Sequence, residues 1–324
     1  LSRVRHVSGA PIEISLHIIA IINILCNISA VKPSPKSLIT DLLSTLPRSR
    51  RGSMPVRALV AAGRSFGIAE NSIRVALTRL HAAETVERDE RGRYRLGARA
   101  EAIRREVAAW KTRHEDVRNW NDRGWIGLIE SGSKRLSRRL ASRRERALNL
   151  LGFRTLEPHL RVRPDNLAGG VERARDRLHA LDPSLQEGGP VVGLTRLDAQ
   201  TEQRAIDLWD SAEAVGAYGR LRRQLAESQA NLSALSPEEA MVETFLIGGQ
   251  VLRQVALDPL LPEEIVPAGE REALVEAMRV YDEVGRRCWA DFLARFDVPH
   301  MRTPTDLRVA DAALLRSSPE SLHA

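Results

Sequence analysis

Asn71, Arg74 and Thr78 stand at i, i+3 and i+7 of the stretch GIAENSIRVALTRL, residues 67–80. Each side chain can read a base edge. An arginine fork pairs with guanine, an asparagine amide with adenine, and threonine offers a hydroxyl and a methyl. Ser72 and Arg79 flank this row and suit phosphate oxygens. Opposite it, Ile73, Ala76, Leu77 and Leu80 fall at i, i+3, i+4 and i+7, one apolar stripe of a helix. Such a helix buries its stripe and presents its polar row. Further on, VERDERGRYRLG (86–97) gathers Arg88, Arg91, Arg93 and Arg95 around a turn. Alternation along a strand points only some of these outward, and Arg91 and Arg93 at the turn are the expected phosphate contacts.

The flanking elements must hold that helix in place. SLITDLLSTL (37–46) has a helical apolar pattern stopped by Pro47. A basic turn, RSRRGS, leads to PVRALVAAGRSF, with Pro55 expected in the first turn of a second helix. Gly67 breaks the chain before the third. Three helices followed by a charged hairpin spell a winged helix-turn-helix over residues 34–98, with its third helix in the major groove of double-stranded DNA. The competing reading is a small helical subdomain with a solvated basic face.

Composition agrees with a polyanionic partner. The chain has 324 residues and a net charge of +7, and 43% of its residues are hydrophobic, enough for packed cores. With only 4% aromatic residues, those cores must be aliphatic. There are two cysteines, Cys26 and Cys288, and no CxxC or Cys/His spacing that would hold zinc. No metal and no cofactor are expected, and a reducing cytoplasm fits. The Ile-rich run IEISLHIIAIINILCNISAV (12–31) is unlike the rest. Glu13, His17, Asn23 and Asn27 interrupt it, so residues 1–33 are read as an extension outside the fold. A packed helix and a membrane anchor are the rival readings. KPSPKS (32–37) reads as a linker.

Beyond the wing, residues 99–118 read as a charged helical connector. Residues 119–198 carry WIGLI, TLEPHLRVRP and PVVGLTRL as strands, the second containing a turn or edge proline, alternating with two amphipathic helices. This β-α-β-α-β order predicts a ferredoxin-like domain. Residues 199–298 are mainly helical, and 299–324 form a polar tail. The fold class is therefore α+β. In the last long helix Leu274, Met278, Tyr281, Cys288 and Phe292 share a face, either core or dimer contact.

Several catalytic patterns are discounted. Ser131-x-x-Lys134 lacks the companion motifs of a serine acyltransferase. Gly248-Gly249 lies in a helical stretch and marks close packing, not a phosphate loop. His159 is expected on a strand, at a surface or dimer contact.

Taken together, GIAENSIRVALTRL with GRYRLG, WNDRGWIGLIE with LLGFRTLEPHLRVRPDNL, and DPLLPEEIVP make the chain resemble the PaaX-type transcriptional repressor family over roughly residues 37–296. The chain departs from that pattern at Glu84 and Thr85, where a Gly and a bulky apolar residue usually precede the wing. The resemblance implies a non-enzymatic, cytoplasmic, homodimeric repressor of phenylacetate-like aromatic catabolism. It also implies release from DNA by phenylacetyl-CoA or a related acyl-CoA. For such an effector, Arg161 and Arg163 alternate on one strand beside the basic helix of Arg138, Arg139, Arg143 and Arg144, and Trp125 is placed to line the acyl end. A solvated or phosphate-tracking role for those arginines is the rival. The family's middle domain is similar to ferredoxin-like nucleases, which need an Asp at the end of the first strand. Glu130 and Ser131 stand there, which argues against cleavage.

Overall fold

The computed structural model describes residues 33–46, 52–97, 109–120, 122–130, 137, 141, 144–145, 147–149, 151–181 and 189–298. The Ile-rich run, most of the connector, Arg138, Arg139, Arg143 and the tail lie outside the described residues. The fold is α+β. The chain forms two compact units: one from Thr112–Ser211 and Leu257–Val266, the other from the described parts of Ser29–Lys111, Ala212–Ala256 and Pro267–Ala324. No described helix is long and apolar enough to cross a membrane.

The unit holding the N-terminal region begins with α1 (Pro35–Ser44). Ser34 caps it, its hydroxyl accepting from the Ser37 N–H at 3.1 Å, and Pro35 opens the first turn. KPSPKS, read above as a linker, therefore carries the start of a helix. A two-residue strand β1 (Met54–Pro55) precedes α2 (Val56–Ser65). Pro55 is extended at the cap of α2 and not in its first turn. Then come α3 (Glu70–Ala82), β2 (Val86–Arg88) and β3 (Arg93–Leu96). The three strands form an antiparallel sheet in the order β1-β3-β2.

The α3 stripe of Ile73, Ala76, Leu77 and Leu80 is buried. Gly63 on α2 lets it sit close, since a Cβ at residue 63 would lie 2.7 Å from Ile73 Cγ1. α6 (Ser211–Asn231), α7 (Pro237–Ala256) and α8 (Ala268–Arg295) complete the unit. Met241 of α7 and Trp289, Phe292 and Leu293 of α8 join the cluster formed by Leu38, Leu59, Ile73 and Leu77. Residues 34–98 and the late helices, read above as separate domains, thus share one core. A segment of some 65 residues buries too little apolar surface to be robust alone, and this sharing relieves that deficit. Leu274, Met278, Tyr281 and Phe292 are buried within the chain, so this face is core. Gly248 meets the Tyr281 ring at the Cβ distance of 3.5 Å, a packing point as expected, while nothing lies within 4 Å of a Cβ on Gly249.

The other unit holds β4 (Trp125–Ile129), helical residues at 141, 144–145 and 147–149, β5 (Arg154–Glu157) and β6 (Leu160–Pro164). α4 (Gly170–Leu181), β7 (Val191–Leu194) and α5 (Ala199–Ile206) follow. The antiparallel sheet runs β5-β6-β4-β7. TLEPHLRVRP, read as a strand containing a turn or edge proline, is a hairpin whose turn falls at Pro158 and His159. Pro158 has no N–H to give to a ladder, so the strand breaks there. His159 sits in the turn, exposed, its carbonyl accepting from the Glu130 N–H at 2.8 Å. Ile126 and Leu128 pack with Ala147, Leu148, Leu151, Phe153 and Leu178. The described end of the connector forms short 3-10 turns at Ala109–Lys111 and Arg113–Asp116, not an α-helix.

Candidate nucleic-acid interface

Burial of the α3 stripe turns the other side of that helix to solvent. Asn71, Ser72, Arg74, Thr78 and Arg79 are all exposed. Arg74 donates through Nε and Nη2 to Glu70 Oε1 at 2.9 and 2.8 Å. Arg64 of α2 donates to the other oxygen, Oε2, at 2.8 Å. These two guanidiniums hold the Glu70 carboxyl below the usual carboxylate range, Arg74 first. The Thr78 hydroxyl donates back to the Arg74 carbonyl at 3.1 Å, which leaves its lone pairs and methyl at the surface.

The turn out of α3 explains Glu84. Thr85 N–H bonds the Leu80 carbonyl and Glu84 N–H that of His81, each at 2.9 Å, the paired closure of a Schellman motif. Glu84 lies at its left-handed position, φ 54°, where glycine is usual. The turn therefore closes with a glutamate at its left-handed position.

At the hairpin tip, Asp89 Oδ1 accepts from the Arg91 and Arg93 N–H groups at 3.0 and 2.8 Å, and Gly92 takes φ 73°. Arg91 is exposed beside this turn. Arg93 behaves differently from its expected role as a phosphate contact. Its Nε donates to Ser53 Oγ at 2.9 Å, and Nη2 donates to the Ser53 and Asp297 carbonyls at 2.7 and 3.1 Å. The side chain is turned back to tie β3 to the segment before β1. Arg95 pairs with Glu87 at 2.8 Å across the hairpin.

The proposed effector residues do not converge. In an antiparallel pair, opposed residues share a face. Arg163 opposes Ile126 and Arg161 opposes Leu128, whereas Trp125 opposes Pro164. Trp125 therefore points from the opposite face of the sheet. It is 1% exposed, stacked on Trp209 at 6.1 Å between ring centroids and met edge-on by Trp120 at 5.1 Å. Arg163 is 3% exposed and donates to the Pro164 and Leu151 carbonyls and to Asn166 Oδ1, at 3.0, 2.6 and 3.1 Å. Burial pulls its pKa down to about 9, so it stays charged at neutral pH. Arg161 is held by Glu145 and Glu130 at 2.8 and 3.2 Å. These arginines anchor the sheet.

Two residues escaped the reading of the sequence. Glu70 stands four residues before Arg74, a spacing that signals a helical ion pair. Asn166 links Arg163 to the Leu260 carbonyl, to which its amide donates at 2.7 Å. Nothing local marks that pairing, because its partners are 94 residues apart.

The described unit with α1–α3 and the three-stranded sheet belongs to an α+β protein whose exposed helix face is polar and basic. Residues 34–100 match the family model described as PaaX-like protein, and the resemblance to the PaaX-type family drawn from the sequence holds. The chain is 26% identical to the transcriptional repressor PaaX of Escherichia coli (strain K12) over 258 residues, covering 74% of this chain and 77% of that one. Among solved structures it is similar to the uncharacterized protein Rv0674 from Mycobacterium tuberculosis. That similarity has a TM-score of 0.51 and 25% identity, and covers 77% of this chain and 97% of the other.

Proposed function

We propose that the chain is a sequence-specific DNA-binding transcriptional repressor acting in the cytoplasm as a homodimer. In this reading α1–α3 with the β2–β3 hairpin form a winged helix-turn-helix. The other unit's β-α-β-β-α-β order, with sheet order β5-β6-β4-β7, is read as ferredoxin-like. The observation that carries the function is the outward row of Asn71, Arg74 and Thr78 on a helix whose opposite stripe is buried. α3 would enter the major groove, with Ser72, Arg79 and the wing's Arg91 on phosphates. A dimer would read two half-sites about one helical turn apart, or a multiple of it. The repressor similarity supports a regulator and not an enzyme.

The resemblance further supports an aryl-CoA inducer, phenylacetyl-CoA or a relative, acting on an aromatic catabolic operon. To release DNA, that ligand must favour the non-binding conformer. A second reading, the same regulator without such an effector, is favoured by the separation of Trp125 from Arg161 and Arg163 on opposite faces of the sheet. The test is gel-shift titration on promoter DNA beside the gene, with phenylacetyl-CoA, phenylacetate and free CoA as competitors. Binding released by the thioester alone supports the full reading. Binding that no aryl-CoA releases supports the second, and absence of selective binding removes both.

A further inference from the structure

Glu70 occupies an unfavourable place for a DNA-binding surface. It is a half-exposed carboxylate in the first turn of α3, on the face that meets a polyanion in the reading above. Each phosphate contact gains from released counterions, and a negative charge beside those contacts opposes binding. The helix dipole favours an acid there, as does the i,i+4 pair with Arg74. Neither requires the geometry observed.

That geometry is specific. An arginine has two bonding edges, the side edge of Nε–H with one Nη2–H and the end-on fork formed by Nη1 and the outer Nη2–H. Arg74 gives its side edge to Glu70 Oε1. Among the described residues no acceptor meets its end-on fork. Glu70 is fixed in turn, because Arg64, from the neighbouring helix α2, holds Oε2 at 2.8 Å. Arg64–Glu70–Arg74 is thus a brace spanning two helices. It takes up the edge that would otherwise swing toward phosphate and restrains an unbranched, rotamer-rich side chain.

We propose that Glu70 is a positioning residue for specificity: it holds Arg74 with the end-on fork outward, poised to take guanine O6 and N7 in the major groove. This rests on the DNA-reading assignment of α3. The brace exchanges some overall attraction to DNA for discrimination at one base. A fork ordered before binding loses less freedom on pairing, and a base other than guanine cannot satisfy both donors. Arg64 supports Glu70 and touches no base in this scheme.

The test uses the full chain and duplexes with a randomised core, selected and sequenced for the wild type, Glu70→Ala, Glu70→Gln, Arg74→Ala and Glu70→Ala/Arg74→Ala. Matching circular dichroism spectra and melting midpoints verify that each variant is folded. The wild type should select a guanine at one position per half-site, and Arg74→Ala should lose it. Glu70→Ala should lose discrimination at that same position by about tenfold, while its affinity for unselected duplex rises and its salt dependence steepens by about one phosphate contact. Glu70→Gln should fall between, because it keeps an acceptor and loses the charge. The double variant should discriminate no worse than Arg74→Ala, since Glu70 acts only through Arg74. If Glu70→Ala keeps the guanine that Arg74→Ala loses, the pair is a surface ion pair only: the positioning role fails and the DNA reading stands. If the wild type selects no sequence, the DNA reading fails and takes this role with it.

Discussion

Gly97 closes directly onto Glu84: a Cβ at residue 97 would lie 2.4 Å from the Glu84 carbonyl oxygen. The end of β3 is held there by the Gly97 N–H bond to the Thr85 carbonyl at 2.9 Å. The base of the hairpin and the exit turn of α3 are therefore one joint, and only one of its two key positions carries a well-matched residue. Gly97 suits its site. Glu84, left-handed at φ 54°, does not. Gly97→Ala should lower stability by about 2–3 kcal/mol, because the contact is backbone to backbone and has no side chain to move aside. Glu84→Gly should raise it by about 0.5–1 kcal/mol by relieving the left-handed strain. Thermal or denaturant melting of both variants checks this, and a Gly97→Ala protein as stable as the wild type would refute the joint.

Asn166 should be costly to remove. Asn166→Ala leaves the Leu260 carbonyl and one Arg163 donor unpaired in a buried setting, a loss of about 2–4 kcal/mol. Trp120, Trp125 and Trp209 belong to the same unit, so tryptophan emission during denaturant unfolding should show its transition at lower denaturant. An unchanged transition would mean that the link to the 257–266 segment is dispensable.

Asp41 on α1 gives a pH dependence. Burial pushes its carboxyl up from 3.8 to about 7, opposed by the charge of Arg253. Between those values the folded chain keeps a proton that the unfolded chain has released. Its contribution to stability is therefore full below about pH 4 and is lost as pH rises through about 7. The residue is only half-buried, and solvent at its rim limits the effect to about 1–2 kcal/mol. Asp41→Asn should flatten this part of the stability profile between about pH 4 and pH 8. A slope equal in wild type and variant would remove Asp41 as its source.

Arg74, Arg91 and Arg93 of the candidate interface should separate by phenotype. Arg74→Ala should weaken binding to the selected site by about 1–3 kcal/mol and relax its base preference. Arg91→Ala should weaken binding to all duplexes alike and reduce the salt slope by about one contact. Arg93→Ala should act on folding, by about 1–2 kcal/mol through the lost ties to Ser53, before it acts on DNA. Gel shifts at several salt concentrations, read beside melting midpoints, distinguish the three. Equal binding losses for Arg91→Ala and Arg93→Ala at unchanged stability would return Arg93 to the phosphate-contacting set.

The amino-acid sequence is enough to set the face of α3. A 3.6-residue period fixes which side chains share a stripe, so burial of Ile73, Ala76, Leu77 and Leu80 follows from their spacing, and so does the exposure of Asn71, Arg74 and Thr78. It also determined the hairpin, because Asp89 and Gly92 supply the turn chemistry locally. Features that depend on distant partners took long-range packing to settle. The two-residue strand β1 is too short to carry a period and exists because β3 pairs with it. Arg93 turns inward because Ser53 is waiting there. Arg161 and Arg163 do share a face, as alternation requires, but strand register places Trp125 on the other. Arg163 became a buried anchor once Asn166 and the 257–266 segment were brought beside it. Local pattern records which way a side chain leaves the backbone; what it meets there is set by residues that the chain brings back from far along its length.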